Sequence, residues 1–308
     1  MVHGVSKLVM ASVAPATLSR YTKEYVAFFA WADGSVREVS SWSDLDGVMV
    51  DYLDELFELN QGRGRSAAGN LVSAVNLFFP GAKGCLPACG RLLKGWARLR
   101  PSAAWPPISR GLNRLVAFWL FKAGFPWHGM AVLLGFSCLL RISEVLQVVA
   151  QDIVFKGDAV LPAGFKHEAL IRLGKAKTGE EQSVVISELW VASLLKVMVG
   201  KWQKGRLFAF SSAELRTKFG QAVEAWGFGS VGYVFHSNRH GRATEEDLLG
   251  TPLEDILRMG RWAAARSGRH YIQSGAAMLA KHRLTGGSLR GLKVLEKDFL
   301  GHFLACLC

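Results

Sequence analysis

The chain has 308 residues, half of them apolar, and 37 Lys and Arg against 25 Asp and Glu give a formal net charge of +12. This length suffices for one large core or two modest ones, and for an enzyme; the positive balance fits a polyanion such as nucleic acid. The five cysteines (Cys85, Cys89, Cys138, Cys306 and Cys308) show no paired zinc spacing, the first residues lack the apolar run of a signal peptide, and no stretch approaches a membrane span, so the expectation is an intracellular protein, cytosolic or nuclear, neither secreted nor in a membrane.

The charge is uneven: residues 1–105 hold 11 basic and 9 acidic side chains, residues 106–308 hold 26 and 16, and the second part carries the positive field. From Thr17, placed as an N-cap, the apolar positions Leu18, Tyr21, Tyr25 and Phe28 step by three and four, which predicts an amphipathic helix over 17–32. Ser43 and Asp46 make a capping-box-like start to a second helix with Leu45, Val48, Met49, Tyr52, Leu53 and Leu56 on one face. A third helix covers about 66–79 and stops at Pro80, and a shorter fourth covers 91–99. These form a small helical domain over 1–105. RPSAAWPPIS (100–109) closes it, because three prolines in ten residues cannot continue a helix.

The second domain, 106–308, begins with helices near 110–123 and 127–137, and LLRISEVLQVV predicts a turn into another helix. DIVFKGDAVL and EALIRLGKAKTGEEQSVVI then change period, with Gly179 at the tip of a KTGEE turn, which predicts a short antiparallel sheet. Helix returns over 189–202, 212–226, 239–249, 252–259 and 263–280, and the tail carries an apolar stripe at Leu292, Leu295, Phe299 and Phe303. The expected fold is mainly α: a helical N-terminal domain, then a mixed α+β domain with a small antiparallel sheet.

Several residues could carry chemistry, and each has a plainer reading. Arg141 follows FSCLL in one of the most apolar parts of the chain, where a guanidinium needs an anionic partner, and Glu144 supplies a structural one. Lys177 at the hairpin tip reads by itself as a solvated lysine. In HSNRH, His236 and His240 have zinc-like spacing; however, Ser237 stands where a zincin carries glutamate, no third ligand is conveniently spaced, and Arg239 repels a cation. His236 and Arg239, three apart on one helix face, offer instead two prongs for phosphate oxygens. Tyr271, nine residues after Trp262, reads by itself as core packing.

In order, an Arg, a hairpin Lys, His-x-x-Arg, Gly-x-Trp and a Tyr make the pattern of the tyrosine recombinases (the phage-integrase family), and the chain resembles them nearly throughout. LLRISEVLQVVAQDI is similar to the family's first arginine box, GKAKTGEEQSVVI to its lysine hairpin, HSNRHGRAT to its His-x-x-Arg box, and MGRWAAARSGRHYIQSGAAML to the segment bearing the nucleophile. The Leu-Leu-Arg-Ile form and a Trp where most members have His are similar to the Cre branch. The resemblance implies a core-binding domain over 1–105 and a catalytic domain over 106–308. Tyr271 is then the nucleophile, Arg141, His236, Arg239 and Trp262 cradle the phosphate, and Lys177, chosen over Lys175 for its Lys-Thr-Gly form, is the general acid. Implied too are site-specific DNA recombination or integration in a mobile element, double-stranded DNA as partner, a homotetramer on DNA joined through the C-terminal helix, and no metal or cofactor. The sequence departs from the family at Leu139, where many members have glycine, and at Ser237-Asn238, where Asp-Leu is commoner.

The chemistry explains why such a set is needed. A phosphodiester resists nucleophiles until the charge on its non-bridging oxygens is neutralised, which two arginines can do without a metal. A phenol, with an ordinary pKa near 10, needs its proton drawn off as it attacks, and the leaving 5′-oxygen needs one supplied. The product is a 3′-phosphotyrosine that another 5′-hydroxyl can attack in reverse. Three rival readings follow: a catalytically inactive DNA-binding relative, a type IB topoisomerase-like relaxing enzyme, and a zinc hydrolase built on His236 and His240. The tail stripe suits docking on a neighbouring subunit or packing on its own domain.

Overall fold

In the computed structural model, residues 6–34, 39–101, 105–162, 164–174, 182–200, 205–281 and 286–307 are described, and they divide into two compact units, Met1–Ala103 and Ala104–Cys308. The first is helical: α1 (Lys7–Ala11), α2 (Pro15–Ala32), α3 (Trp42–Leu59), α4 (Arg65–Phe78) and α5 (Pro87–Leu99). Phe28, Met49, Leu53, Leu71, Val75 and Trp96 form its core. The cap of α3 lies two residues before the expected one: the Ser41 hydroxyl accepts from the Asp44 N–H, and the Asp44 carboxylate accepts from the Ser41 N–H. Asp46 is freed to turn inward. Buried there, it accepts from the N–H groups of Ala88 and Cys89 at 2.8 and 2.9 Å, and so caps the first turn of α5 from a neighbouring helix.

The second unit is built on an antiparallel pair, α6 (Arg110–Lys122) and α7 (Pro126–Ser137). Helix α7 is apolar on every side and lies in the middle of the core, as such a helix must. α8 (Ile142–Val145) follows as a single turn rather than the longer helix expected, because the chain beyond it straightens to pair Val149 with Arg206. Strands β1 (Ile153–Phe155), β2 (Ala169–Leu173) and β3 (Gln182–Ile186) form an antiparallel sheet in that order, with Ile153 opposite Ile171 and Ile171 opposite Val184. The period-2 pattern buries Ala169, Ile171 and Leu173 on one face. The fold is therefore the expected one, mainly helical with a small antiparallel sheet inside the second unit.

Beyond the sheet come α9 (Leu189–Gly200), α10 (Ser212–Ala225), α11 (Ser237–Leu248) and α12 (Leu253–Gly260). The helix expected over 263–280 is split into α13 (Ala265–Arg269) and α14 (Ser274–Lys281), with Tyr271 in the gap. Thr244 causes the break: its hydroxyl donates to the Tyr271 carbonyl and accepts from the Gln273 N–H, taking both groups out of a helical ladder. The tail forms α15 (Gly286–Lys297) and α16 (Phe299–Leu304). Its stripe is covered by its own unit: Leu295 and Phe303 are 1% and 0% exposed in the main core, with Leu292 and Phe299 packed against it. The apolar surface that docking on a neighbour would use is thus already buried, against α6 and α9. Among the described residues no helix is long and apolar enough to cross a membrane.

Gly241 lets α11 sit against the incoming chain, because a Cβ there would overlap the Ile108 carbonyl, while Ile108 N–H donates to Ser237 O at 3.2 Å. Gly241→Ala should cost about 1–3 kcal/mol of stability by overpacking. Gly220→Ala, at an open position in α10, should gain about 0.5–1 kcal/mol. Urea denaturation of the full chain checks both.

Candidate active site

Helix α11 places His236 as its N-cap residue and Arg239, His240 and Thr244 on its inner side. Arg239 is 0% exposed, and its two terminal nitrogens donate to the backbone carbonyls of Leu139 and Gly260. Its guanidinium lies 4.6 Å from the Trp262 ring and 5.3 Å from the Tyr271 ring. One buried cation thereby ties together the segment before α8, the end of α12 and the tyrosine. Burial holds its pKa down to about 10, with Arg141 and Arg261 pushing the same way.

Both carbonyl acceptors explain a sequence feature. Leu139 has φ +49°, the left-handed region that suits glycine, so the glycine common at this place in the resembled family matches the backbone found here. Its buried side chain packs with Ala243, Ile256 and Trp262. Gly260 has no room for a side chain, because the Trp262 ring occupies that space.

Arg141 does not share this burial, contrary to its apolar sequence context. Leu139 and Leu140 turn inward and Arg141 emerges as the N-cap residue of α8, with its side chain 44% exposed. It bonds Glu144 through Nη1 at 2.6 Å and through its backbone N–H at 2.7 Å. Arg261 bonds the same carboxylate at 2.7 Å, and Arg239 lies 3.9 Å from it. Burial alone would raise the Glu144 pKa, but Arg261 and Arg141 outweigh it and hold the carboxyl below its ordinary value.

The Tyr271 hydroxyl is 3.2 Å from His236 Nε2. Burial, with Arg239 and Arg141, lowers His236 to about 4, so the imidazole is neutral at physiological pH; with its proton on Nδ1, Nε2 accepts from the phenol. Tyr271 also lies 4.6 Å from the rings of both Trp262 and His240. The Trp262 indole N–H is buried with no partner among the described residues, a donor left for something else. Beside His236 opens a cavity of about 700 Å³ that Trp105, Ile142, Arg216 and Phe219 also line.

None of the protein-family models matches the sequence, and no curated protein does. Solved structures do match: the Tn1549 transposon integrase with transposon right-end DNA (11% identity, TM-score 0.59, covering 89% of this chain and 98% of that one) and a lambda integrase dimer bound to a COC′ core site (14%, 0.55, 85% and 73%). A lambda integrase tetramer on a Holliday junction matches similarly (15%, 0.52, 85% and 73%). The fold is that of the tyrosine recombinases.

On this recombinase fold, five of the six residues singled out from the sequence, namely Arg141, His236, Arg239, Trp262 and Tyr271, come together. Lys177 and its neighbour Lys175 lie outside the described residues. His240 Nδ1 is 2.9 Å from the Gln273 amide nitrogen, and among the described residues no group of three or more His, Cys, Asp or Glu gathers for a metal. Sequence reasoning missed Arg261, Thr244 and Gln273. The one signal for Arg261 was a charged residue wedged between a glycine and a tryptophan. In the first unit, a separate concavity of about 810 Å³ is lined by Arg63, Arg65 and Arg100 with Ser66, Asn70 and Ser73, and among the described residues by no carboxylate.

Burial sets a pH dependence. His236 and His240 both fall from 6.5 to about 4 on folding, His240 through burial first and then His236 and His270. Between those values the unfolded chain binds protons that the folded chain refuses, so stability drops as pH falls through the window. The thermal midpoint should decline from pH 6.5 to pH 4, and His240→Gln should shrink that decline; a decline of unchanged size would disprove the assignment.

Proposed function

We propose that the protein is a tyrosine recombinase: a metal-independent DNA strand transferase that cuts and rejoins double-stranded DNA at specific sites through a 3′-phosphotyrosyl intermediate. The observation that carries this reading is the 3.2 Å approach of the Tyr271 hydroxyl to His236 Nε2, above a buried guanidinium. The phenol oxygen attacks phosphorus as its proton passes to His236. The bond to the 5′-oxygen breaks, and that oxygen takes a proton, which we assign to Lys177. Charge building on the non-bridging oxygens meets Arg141, Arg239 and the unpaired Trp262 N–H. Arg141 needs only to leave Glu144, whereas Arg239 must exchange a carbonyl for a phosphate oxygen. Attack by another 5′-hydroxyl reverses the step without ATP.

In this reading the first unit is the core-binding domain, and its Arg63–Arg65–Arg100 concavity grips the DNA backbone. Four copies act together on paired sites. Because the tail stripe is buried in its own unit, their contact uses other surfaces or requires α16 to leave its bed. The setting is a mobile element inside a cell, integrating or excising DNA.

The test starts from DNA recovered covalently attached to the protein in its native cell, rebuilt as a nicked suicide duplex. Wild type should trap on it and Tyr271→Phe should not. Arg239→Ala should lose cleavage by about 10²–10³-fold or more, with duplex binding largely kept. Absence of any covalent complex would favour a DNA-binding relative without activity; relaxation of plasmid with no recombinant product would favour the topoisomerase-like reading.

A second measurement addresses the first unit alone. Each of Arg63→Ala, Arg65→Ala and Arg100→Ala should weaken binding on all sequences and reduce the slope of log affinity against log salt by about 1. Unchanged slopes would remove the concavity from the interface.

A further inference from the structure

We infer that Arg261 is a positioning residue of this pocket, holding Glu144 so that Arg141 is free to leave it for the scissile phosphate; the inference rests on the strand-transfer reading above. Arg261 ends α12 in the left-handed region, φ +55°, between the glycine whose carbonyl anchors Arg239 and the tryptophan beside Tyr271. Its side chain is 8% exposed. From there Nη2 bonds Glu144 Oε2 at 2.7 Å, and the guanidinium lies 3.4 Å from the carbonyls of Cys138, Leu139 and Met259.

Glu144 is shared between two unlike partners. Oε1 faces the exposed Arg141 side chain, while Oε2 accepts from the Arg141 backbone N–H and from buried Arg261. A phosphodiester is a second anion competing for the Arg141 guanidinium. If Arg141 swings to it, Glu144 keeps Arg261 and a backbone N–H and stays compensated. If Arg261 is removed, Glu144 is a largely buried carboxylate hydrogen-bonded to Arg141 alone, with Arg239 3.9 Å away and held by two carbonyls, and uncovering it is costly. Glu144 then competes with the phosphate, and the pocket loses its mobile arm.

This mechanism makes a prediction that a purely structural role does not. Arg261→Gln should slow single-turnover cleavage of the suicide duplex by about 10- to 100-fold, the range over which supporting partners of a bound site act. Adding Glu144→Gln removes the competing charge, so the double variant should cleave faster than Arg261→Gln alone. Arg261→Lys, which keeps a cation beside Glu144, should retain most of the rate, and thermal melts of each variant confirm that the chain is folded.

Full activity in folded Arg261→Gln, or a double variant no faster than it, overturns the inference. Should Arg261→Gln fail to fold, the Lys variant decides, since a loss of about 10-fold or more in folded Arg261→Lys overturns it equally. Wild-type protein that never traps DNA overturns the recombinase reading instead, and because every variant is compared with trapping wild type, the two failures are distinct.

Discussion

A guanidinium with no exposed surface constrains the second unit more than any other group. Arg239 sits on α11 without a carboxylate in direct contact, and Glu144 is 3.9 Å away. Its charge is met by two backbone carbonyls and by aromatic faces. Carbonyls can point at such a cation only if the backbone bends to present them. Leu139 does so in the left-handed region, and Gly260 does so because it has no side chain to exclude Trp262. Around that one burial, the turn before α8, the end of α12 and the Tyr271 segment become parts of a single cluster.

The same burial sets the electrostatics. Desolvation first holds both imidazoles neutral, and neighbouring groups add to it: Arg239 and Arg141 beside His236, and His236 and His270 beside His240. A neutral His236 can take a proton from a phenol, which a charged one cannot. Glu144 keeps the cluster from being cationic throughout, and it does so from the edge, where one of its partners is exposed and another is not. The pocket therefore contains a buried cation, Arg239, an exposed one, Arg141, and a third that balances the carboxylate.

Much of this was legible in the sequence, and what failed did so for physical reasons. Period-3.6 stripes marked α2, α4, α6 and α10 to within a few residues, and alternation marked β2 and β3, because those patterns are what a core requires. The helix over 263–280 failed where Thr244, distant in sequence, took the backbone groups on either side of Ile272. Ser43 and Asp46 had the right spacing for a cap; which of two similar Ser-x-x-Asp pairs caps α3 depends on Asp46 having a second helix to bind. The five residues that cluster were readable as types in order, because side chains of this chemistry are distinctive. Their partners were not readable: a carbonyl acceptor looks the same at every residue, so the anchors of Arg239 had no signature, and the exposure of Arg141 was misjudged from its apolar neighbours.

The tail shows a different limit. A stripe at Leu292, Leu295, Phe299 and Phe303 states that something apolar covers it, but not whether that is the same chain or another. Here the cover is local, and it is reinforced by charge. Arg114 on α6 lies 4.1 Å from the Phe299 ring and 5.3 Å from Trp190, while the same guanidinium bonds Glu188, which also holds Arg110. Arg110 in turn bonds Glu245 on α11, the helix that carries Arg239. A continuous chain of ion pairs and ring contacts thus runs from α16 to the pocket wall. Undocking the tail would uncover Phe303 and take the Phe299 face from Arg114, leaving it Trp190 of α9, so any assembly that recruits the tail must supply an apolar bed of equal quality to replace the one it leaves.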